Sequence, residues 1–349
     1  SGPGRRDRPA CDLGQRSANP RSQRRAPPAV ERAVEIREDL LRRGAISAPP
    51  ELHPARPPAP QRTTNEDAVP RGRRHLELRR RLVVATRRRE VFGAESPDGP
   101  GVSAAVSAKS TPTDPVTVVD TETEELLRRR VAELRPGDVV LGEERGGPGA
   151  VGAGTVTWVV DPVDGTVNFV YGIPVFAVSV AAQVDGVSLA GAVADVSTGE
   201  IYSAALGGGA QVLGPAGRRR LSCTGATDLG MTLLGTGFGY APDRRTVQGR
   251  LLAQLLPQVR DVRRLGSAAL DLCMVAAGRL DAHYEHGLNV WDWAAGALIA
   301  AEAGAVVRLP APGEPLGLTL AAAPGVADAL CAALARCGAL GPLPGVAGS

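Results

Sequence analysis

Residues 158–166, Trp158-Val-Val-Asp161-Pro-Val-Asp164-Gly-Thr166, constrain this chain more than any other stretch. The run Val156 to Val160 is β-branched and aromatic, so it reads as a buried strand that ends abruptly in turn chemistry. Asp161 is expected where that strand stops. Pro162 fixes one φ, and Gly165 permits a sharp bend. Two carboxylates three residues apart are therefore held on a stiff turn, with Thr166 next and Asn168 two residues later. Turns at the carboxyl ends of strands are where α/β proteins bind ligands.

Residues 146–217 contain no Lys or Arg. Two clustered carboxylates without a basic partner repel each other, and one must hold a proton unless a cation binds. Hard divalent cations such as Mg²⁺ take oxygen ligands, usually one or two carboxylates together with substrate phosphate. Taken alone, an Asp-x-x-Asp pair is more simply read as capping a turn and a helix. The acids found elsewhere in the chain favour the cation.

At 349 residues the chain has room for one large domain or two modest ones. No run of 18 uninterrupted apolar residues is present, so no membrane span is expected, and the Arg-bearing N-terminus lacks the apolar segment of a signal peptide. Five Cys without a C-x-x-C pair suggest a reduced, cytoplasmic protein without a zinc site. His283 and His286 read as structural or solvated. Residues 1–100 carry 22 Arg, no Lys and 13 acids, whereas the remainder is net acidic. That Pro- and Arg-rich extension, 1–101, reads as mostly disordered, with a short helix possible only at Val83 to Val91. A basic tail can touch nucleic acid, but a merely solvated tail is the simpler reading, so no nucleic-acid partner is expected.

Lys109 is the one lysine among 40 basic residues, which hints that a compact ammonium is wanted there, although chance explains a single lysine as well. From Lys109 through Asp114 to Asp120 the chain reads as loop and then a short extended piece. Asp120 opens a helix bearing Leu127, Val131 and Leu134 on one face and ended by Pro136-Gly137, so a plain N-cap would account for it. Glu143 and Glu144 follow the short strand Val139-Val140-Leu141, as a solvated loop or with one acid turned into a site. Strands are expected over 175–184, 189–196, 201–205 and 211–213, with hairpin chemistry at Asp185-Gly186 and a turn at Gly207-Gly208-Gly209. Arg218-Arg219-Arg220 reads as an exposed turn between domains. Helices are expected over 251–259, 267–277 and 291–303, and strands over 280–284 and 305–309. Asp292 lies in the first turn of the last helix, where the dipole gains it only about 0.3–1 kcal/mol, so the helix does not require it.

With these pieces placed, the sequence resembles the inositol monophosphatase family of Mg²⁺-dependent sugar and polyol phosphatases. Trp158 through Phe169 is similar to the family's first signature, and Asn289-Val-Trp291-Asp292-Trp-Ala-Ala-Gly296 to its second. Gly142-Glu143-Glu144 and Asp114-Pro-Val-Thr-Val-Val-Asp120 match two more motifs in the same order, over about seven-tenths of the chain. The resemblance implies an α/β (α+β) fold, a layered αβαβα sandwich. Residues 102–222 would form an α+β part with a mostly antiparallel sheet, and 223–345 a smaller α/β part. It implies that Glu143, Asp161, the Val163 carbonyl and Thr166 bind one metal, and that Asp161, Asp164 and Asp292 bind a second. A third, weaker metal would lie near Glu143. Thr166 and Asp120 would orient and deprotonate the attacking water, with no phosphoenzyme. Gly165 and Thr166 would hold the phosphate through backbone N–H groups. Gly266, Ser267, Ala268 and Glu285 would line the substrate pocket, Glu285 bonding hydroxyls, with Asp164 and Asp292 at its edge and Lys109 nearby.

The implied cofactor is Mg²⁺, and the implied substrate is a small phosphorylated polyol, most simply myo-inositol 1-phosphate. Histidinol phosphate, fructose 1,6-bisphosphate and 3′-phosphoadenosine 5′-phosphate are the alternatives within the superfamily. A nucleic-acid-binding regulator with a vestigial phosphatase body is the alternative of another class. A homodimer is expected. One departure from the family pattern stands out: residues 76–108, with two Arg triplets and Ser-Pro-Asp-Gly-Pro-Gly, make a poor version of the family's first helix.

Overall fold

The computed structural model describes residues 84, 106–109, 115–149, 151–311, 317–341 and 343. The extension 1–101 apart from Val84, the Val83–Val91 segment around that residue, and Asp114 lie outside the described residues. Val84 itself is helical and buried against Val119, Val163, Phe169 and Phe176.

Two large sheets and three helical layers make an αβαβα sandwich, with a small two-stranded ribbon, Val106–Ala108 paired with Pro115–Thr117, beside them. In chain order the first elements are β1 (Val106–Ala108), β2 (Pro115–Thr117), α1 (Val118–Leu134), β3 (Val139–Gly142), β4 (Val156–Asp164) and α2 (Thr166–Tyr171). The meander β5 (Ala177–Val184), β6 (Val187–Asp195), β7 (Ile201–Ala205), β8 (Gly209–Gly214) and β9 (Gly217–Arg220) follows. Then come β10 (Leu233–Thr236), α3 (Pro242–Leu255), β11 (Asp261–Arg263), α4 (Ala268–Ala276), β12 (Ala282–His286), α5 (Val290–Glu302), β13 (Val306–Arg308), β14 (Leu318–Ala322) and α6 (Pro324–Arg336). The first sheet runs β3-β4-β5-β6-β7-β8-β9, and the second β11-β10-β12-β14-β13. In the first, only β3 and β4 pair in parallel; the hairpin-linked strands after β4 are antiparallel, as short two-residue turns require.

Helices α4 and α5 lie between the sheets and share one core with both. Their sequences, Ala268-Ala-Leu-Asp-Leu-Cys and Ala294-Ala-Gly-Ala-Leu-Ile, are apolar nearly all round, as a helix buried on every side must be. Two glycines set their approach. A Cβ on Gly191 of β6 would lie 2.9 Å from Ala295 Cα, and one on Gly296 would lie 2.9 Å from Leu272 Cβ. Helices α3 and α6 cover the outer face of the second sheet with Leu251, Leu255, Leu330 and Leu334. Among the described residues, no helix is long and apolar enough to cross a membrane, and Cys223, Cys273 and Cys337 are free thiols.

Three sequence expectations need correction. Strand β4 does not stop at Asp161: it continues to Asp164 past an irregularity in its pairing with β5, because the interruption at Pro162 is absorbed as a bulge. The segment Arg218–Arg220 is an exposed edge strand, β9, rather than an inter-domain turn; charged side chains on an edge suit it there. Asp120 is not the N-cap. Thr117 is, and Asp120 sits three residues on as the acidic member of a capping box. Strand β14 and helix α6, near the C-terminus, were not anticipated from the sequence.

Candidate active site

The bulged end of β4, the start of α2, the loop after β3 and the N-terminus of α5 converge on one buried point. Asp161, Asp164 and Asp292 each place a carboxylate oxygen there, all within 4.8 Å of one another. Local structure fixes each acid. Asp161 Oδ1 accepts the Val163 N–H at 3.0 Å, turning the carboxyl back over the bulge. Asp164 Oδ2 accepts the Ser267 hydroxyl at 2.6 Å and the Ala269 N–H at 2.8 Å, which joins the first sheet to the start of α4. Asp292 closes a capping box with Asn289, accepting its N–H at 2.6 Å. The turn between Asp164 and Thr166 needs Gly165, whose φ is 95° and whose Cβ would come 2.9 Å from the Val175 carbonyl oxygen.

These carboxyl groups are costly as ions. Burial first, then repulsion from Glu143, Asp164 and Asp292, drives Asp161 well above the ordinary carboxylate range. Burial with Asp164 and Glu143 does the same to Asp292, and burial moves Asp164 up to about 6 despite its hydrogen bonds to Ser267 and Ala269. Asp161 Oδ2 is buried without a hydrogen-bond donor. An all-oxygen donor set, an orphaned carboxylate oxygen and excess negative charge fit a hard divalent cation.

Around this cluster stand the other predicted residues. Glu143 adjoins Asp161, its N–H donating to the Val160 carbonyl at 3.3 Å. Lys109 Nζ lies 2.6 Å from both Glu143 and Glu144, so the single lysine does sit at the acidic loop. Burial opposes its charge, but the two glutamates hold it above the usual lysine value. Asp120, fixed by the Thr117 N–H and hydroxyl, accepts from the Thr166 hydroxyl at 3.2 Å; that hydroxyl is also 3.0 Å from the Val163 carbonyl. Burial pushes Asp120 up to about 6 against the pull of Thr117. The Gly266 carbonyl lies against Gly165, and Ser267 caps α4 while serving Asp164. Glu285, on β12, is near enough to raise Asp292, and burial pushes it up to about 8.

The loop carrying Glu143 rests on Glu124, a fully buried acid of α1. Its carboxylate accepts the N–H groups of Glu144 at 2.7 Å and Arg145 at 3.2 Å, and the Arg128 Nε at 2.8 Å. Glu124→Ala strips three donors of their acceptor at once. We expect a loss of about 3 kcal/mol in stability by urea denaturation; a change under about 0.5 kcal/mol would contradict this support. Sequence reading missed Glu124, Arg264 and Asp271, and took His283 for a structural or solvated residue. Arg264 attracts Glu285 and Asp271 electrostatically, and the only signal for it was its place two residues before Gly266.

With this geometry in view, similarity to known proteins becomes informative. Residues 83–338 match the inositol monophosphatase family. The Inositol-1-monophosphatase of Mycobacterium leprae (strain TN) is 65% identical over 266 residues, covering 74% of this chain and 91% of that protein. The solved structure of Mycobacterium tuberculosis SuhB superposes with a TM-score of 0.64 at 55% identity, covering 76% of this chain and 95% of that one. The Nus factor SuhB of Pasteurella multocida (strain Pm70) is 40% identical over 195 residues, covering 56% of this chain and 71% of that protein. Matched over most of its length in both sequence and fold, the chain belongs to the inositol monophosphatase family of phosphoric monoester hydrolases.

Proposed function

We propose that this enzyme hydrolyses myo-inositol 1-phosphate to inositol and phosphate with Mg²⁺ as its cofactor. The observation that carries the reading is the meeting of Asp161, Asp164 and Asp292 beside the Thr166–Asp120 hydroxyl–carboxylate pair. Glu143, Asp161, the Val163 carbonyl and Thr166 would hold one cation, and Asp161, Asp164 and Asp292 another. When bound, the cations neutralise phosphate charge and lower the pKa of a coordinated water. The chain's own residues do the rest. Thr166, hydrogen-bonded to Asp120, orients the attacking water, and Asp120 takes up its proton through the threonine hydroxyl. Gly165 and Thr166 present backbone N–H groups to the phosphate. Glu285 accepts hydrogen bonds from substrate hydroxyls, with Ser267 and its neighbours Gly266 and Ala268 forming the adjoining wall. Assembly as a homodimer in the cytoplasm is part of the same proposal, with sedimentation velocity as the check on the dimer.

The test is phosphate release from inositol 1-phosphate, histidinol phosphate, fructose 1,6-bisphosphate and 3′-phosphoadenosine 5′-phosphate, each with Mg²⁺ and with EDTA. We expect Mg²⁺-dependent release, greatest from inositol 1-phosphate. Release favouring another substrate would overturn the substrate assignment, and release unaffected by EDTA would overturn the metal.

The Nus factor name of the Pasteurella relative favours one second reading, a regulatory role on nucleic acid. Filter binding of the full chain to DNA and to RNA at physiological salt tests it, and the absence of binding to both removes it.

A further inference from the structure

Strand β12 alternates its side chains. Ala282 and Tyr284 enter the core shared with α6, while His283 and Glu285 share the opposite face, beneath α4. His283 is fully buried, and neither ring nitrogen has a hydrogen-bond partner. Its Nδ1 lies 3.8 Å from Asp271 Oδ2, and its Nε2 lies 3.6 Å from Glu285 Oε2. Asp271, on α4, is buried too, and its Oδ1 lacks a partner. Each buried polar atom left unpaired costs about 1–3 kcal/mol, so the two ring nitrogens of His283 and Oδ1 of Asp271 are unfavourable together unless these groups and Glu285 serve one another. Displacements of under ~1 Å bring both contacts within hydrogen-bond range.

Neighbouring backbone is shaped to admit them. Gly235 of β10 pairs in register with His283, and a Cβ there would lie 3.0 Å from its Nδ1 and 3.5 Å from Asp271 Oδ1. A Cβ on Gly237 would lie 2.0 Å from the Glu285 carboxylate. Two glycines thus keep open the side on which the three groups stand.

We infer that His283 and Asp271 are positioning residues for Glu285, and that this buried chain sets the enzyme's preference for phosphate esters bearing neighbouring hydroxyls. Burial favours a protonated Asp271 and a neutral imidazole. The Asp271 hydroxyl then donates to Nδ1, which leaves the proton on Nε2 to be donated to Glu285. One oxygen of Glu285 is fixed in this way and the other is left to accept a substrate hydroxyl. Burial holds the Glu285 carboxyl up, and the charge of Arg264 pulls it back toward its ionised form.

The inference rests on Glu285 being the hydroxyl-binding carboxylate, so the experiment separates the two. Full-length wild type, His283→Leu, His283→Gln, Asp271→Asn, Glu285→Gln and the double variant H283L/E285Q are assayed with Mg²⁺ on inositol 1-phosphate and on p-nitrophenyl phosphate, which has no hydroxyls beside its ester. The readout is the ratio of the two kcat/KM values. His283→Leu is expected to lower that ratio about tenfold, chiefly through KM for inositol 1-phosphate. His283→Gln and Asp271→Asn, which keep a donor in place but not the ring geometry, should lower it by about twofold to threefold. In the E285Q background, His283→Leu should change nothing further. If His283→Leu depresses both substrates equally, or acts as strongly in the E285Q background, the positioning role is overturned while Glu285 keeps its own. If Glu285→Gln leaves the ratio at the wild-type value, the hydroxyl-binding reading itself fails. Should the leucine variant not fold, as circular dichroism would show, the same decision is taken from His283→Gln and Asp271→Asn: an unchanged ratio in both overturns the role.

Discussion

Asp161→Asn is expected to abolish phosphate release while making the metal-free protein more stable. The carboxylate carries two opposed tendencies. Its Oδ1 is satisfied by the Val163 N–H, which an Asn oxygen accepts equally well. Its Oδ2 is buried without a donor and faces Glu143 and two further acids. An amide removes that charge and offers N–H groups to the acids that now repel it. Stability should rise by roughly 1–2 kcal/mol, in the range of other substitutions that relieve a strained functional site, or about 2–4 °C in Tm per kcal/mol for a body of this size. Activity should fall by at least ~10³-fold, since removing one preorganised electrostatic group already costs ~10²–10³. Calorimetry in EDTA and phosphate release in Mg²⁺ check the two halves. Near-normal turnover would remove Asp161 from the metal site, and a lower Tm in EDTA would show that the acid cluster is not a source of strain.

The second large effect is on stability as a function of pH and metal. Unfolded, these acids titrate near ~4. In the folded, metal-free protein Asp161 and Asp292 are held well above that, and Asp120 and Asp164 at about 6. Between the two values the folded state binds more protons than the unfolded state, so these groups make stability fall as pH rises through the window. A cation binds the ionised carboxylates and reverses the loss. Mg²⁺ at a hundred times its Kd adds about 2.7 kcal/mol. The Tm gain from Mg²⁺ over EDTA should therefore be small at pH 5 and reach several degrees at pH 8. His283, pushed down to about 3 by burial, works in the opposite direction, since the unfolded imidazole takes a proton below ~6.5 and the folded one does not. It acts equally in both arms and cancels in the difference. A Mg²⁺-induced gain as large at pH 5 as at pH 8 would contradict the acid cluster as the binding site.

The central motif was legible because its chemistry is local. Asp161, Pro162, Asp164, Gly165 and Thr166 are neighbours in the chain, and a β-branched run ending in Pro and Gly announces itself. Asp292 was legible from the local motif Asn289 to Gly296, although the structure shows that its helix also uses it, to close the capping box with Asn289. The hairpins of the first sheet followed from alternation and from Asp185-Gly186. By contrast, the continuation of β4 through Pro162 could not be read, because pairing with β5 and not local propensity keeps Asp164 in the strand. Nor could the role of Thr117. Thr117 and Asp120 are both good cap residues, and only the folded backbone chooses which one caps and which one closes the box.

The sequence alone therefore determined which residue types gather, the order in which they are presented and the family to which they point. Tertiary structure decided the contacts that span long separations. It brought Lys109 onto Glu143 and Glu144, set Ser267 against Asp164 from 103 residues away, and laid Asp271 of one helix over His283 and Glu285 of the strand beneath it. Those pairings depend on sheet order, helix crossing and the room left by glycines on neighbouring strands. Periodicity and local propensity report on a residue's near neighbours, and carry no information about which distant surface will close over it.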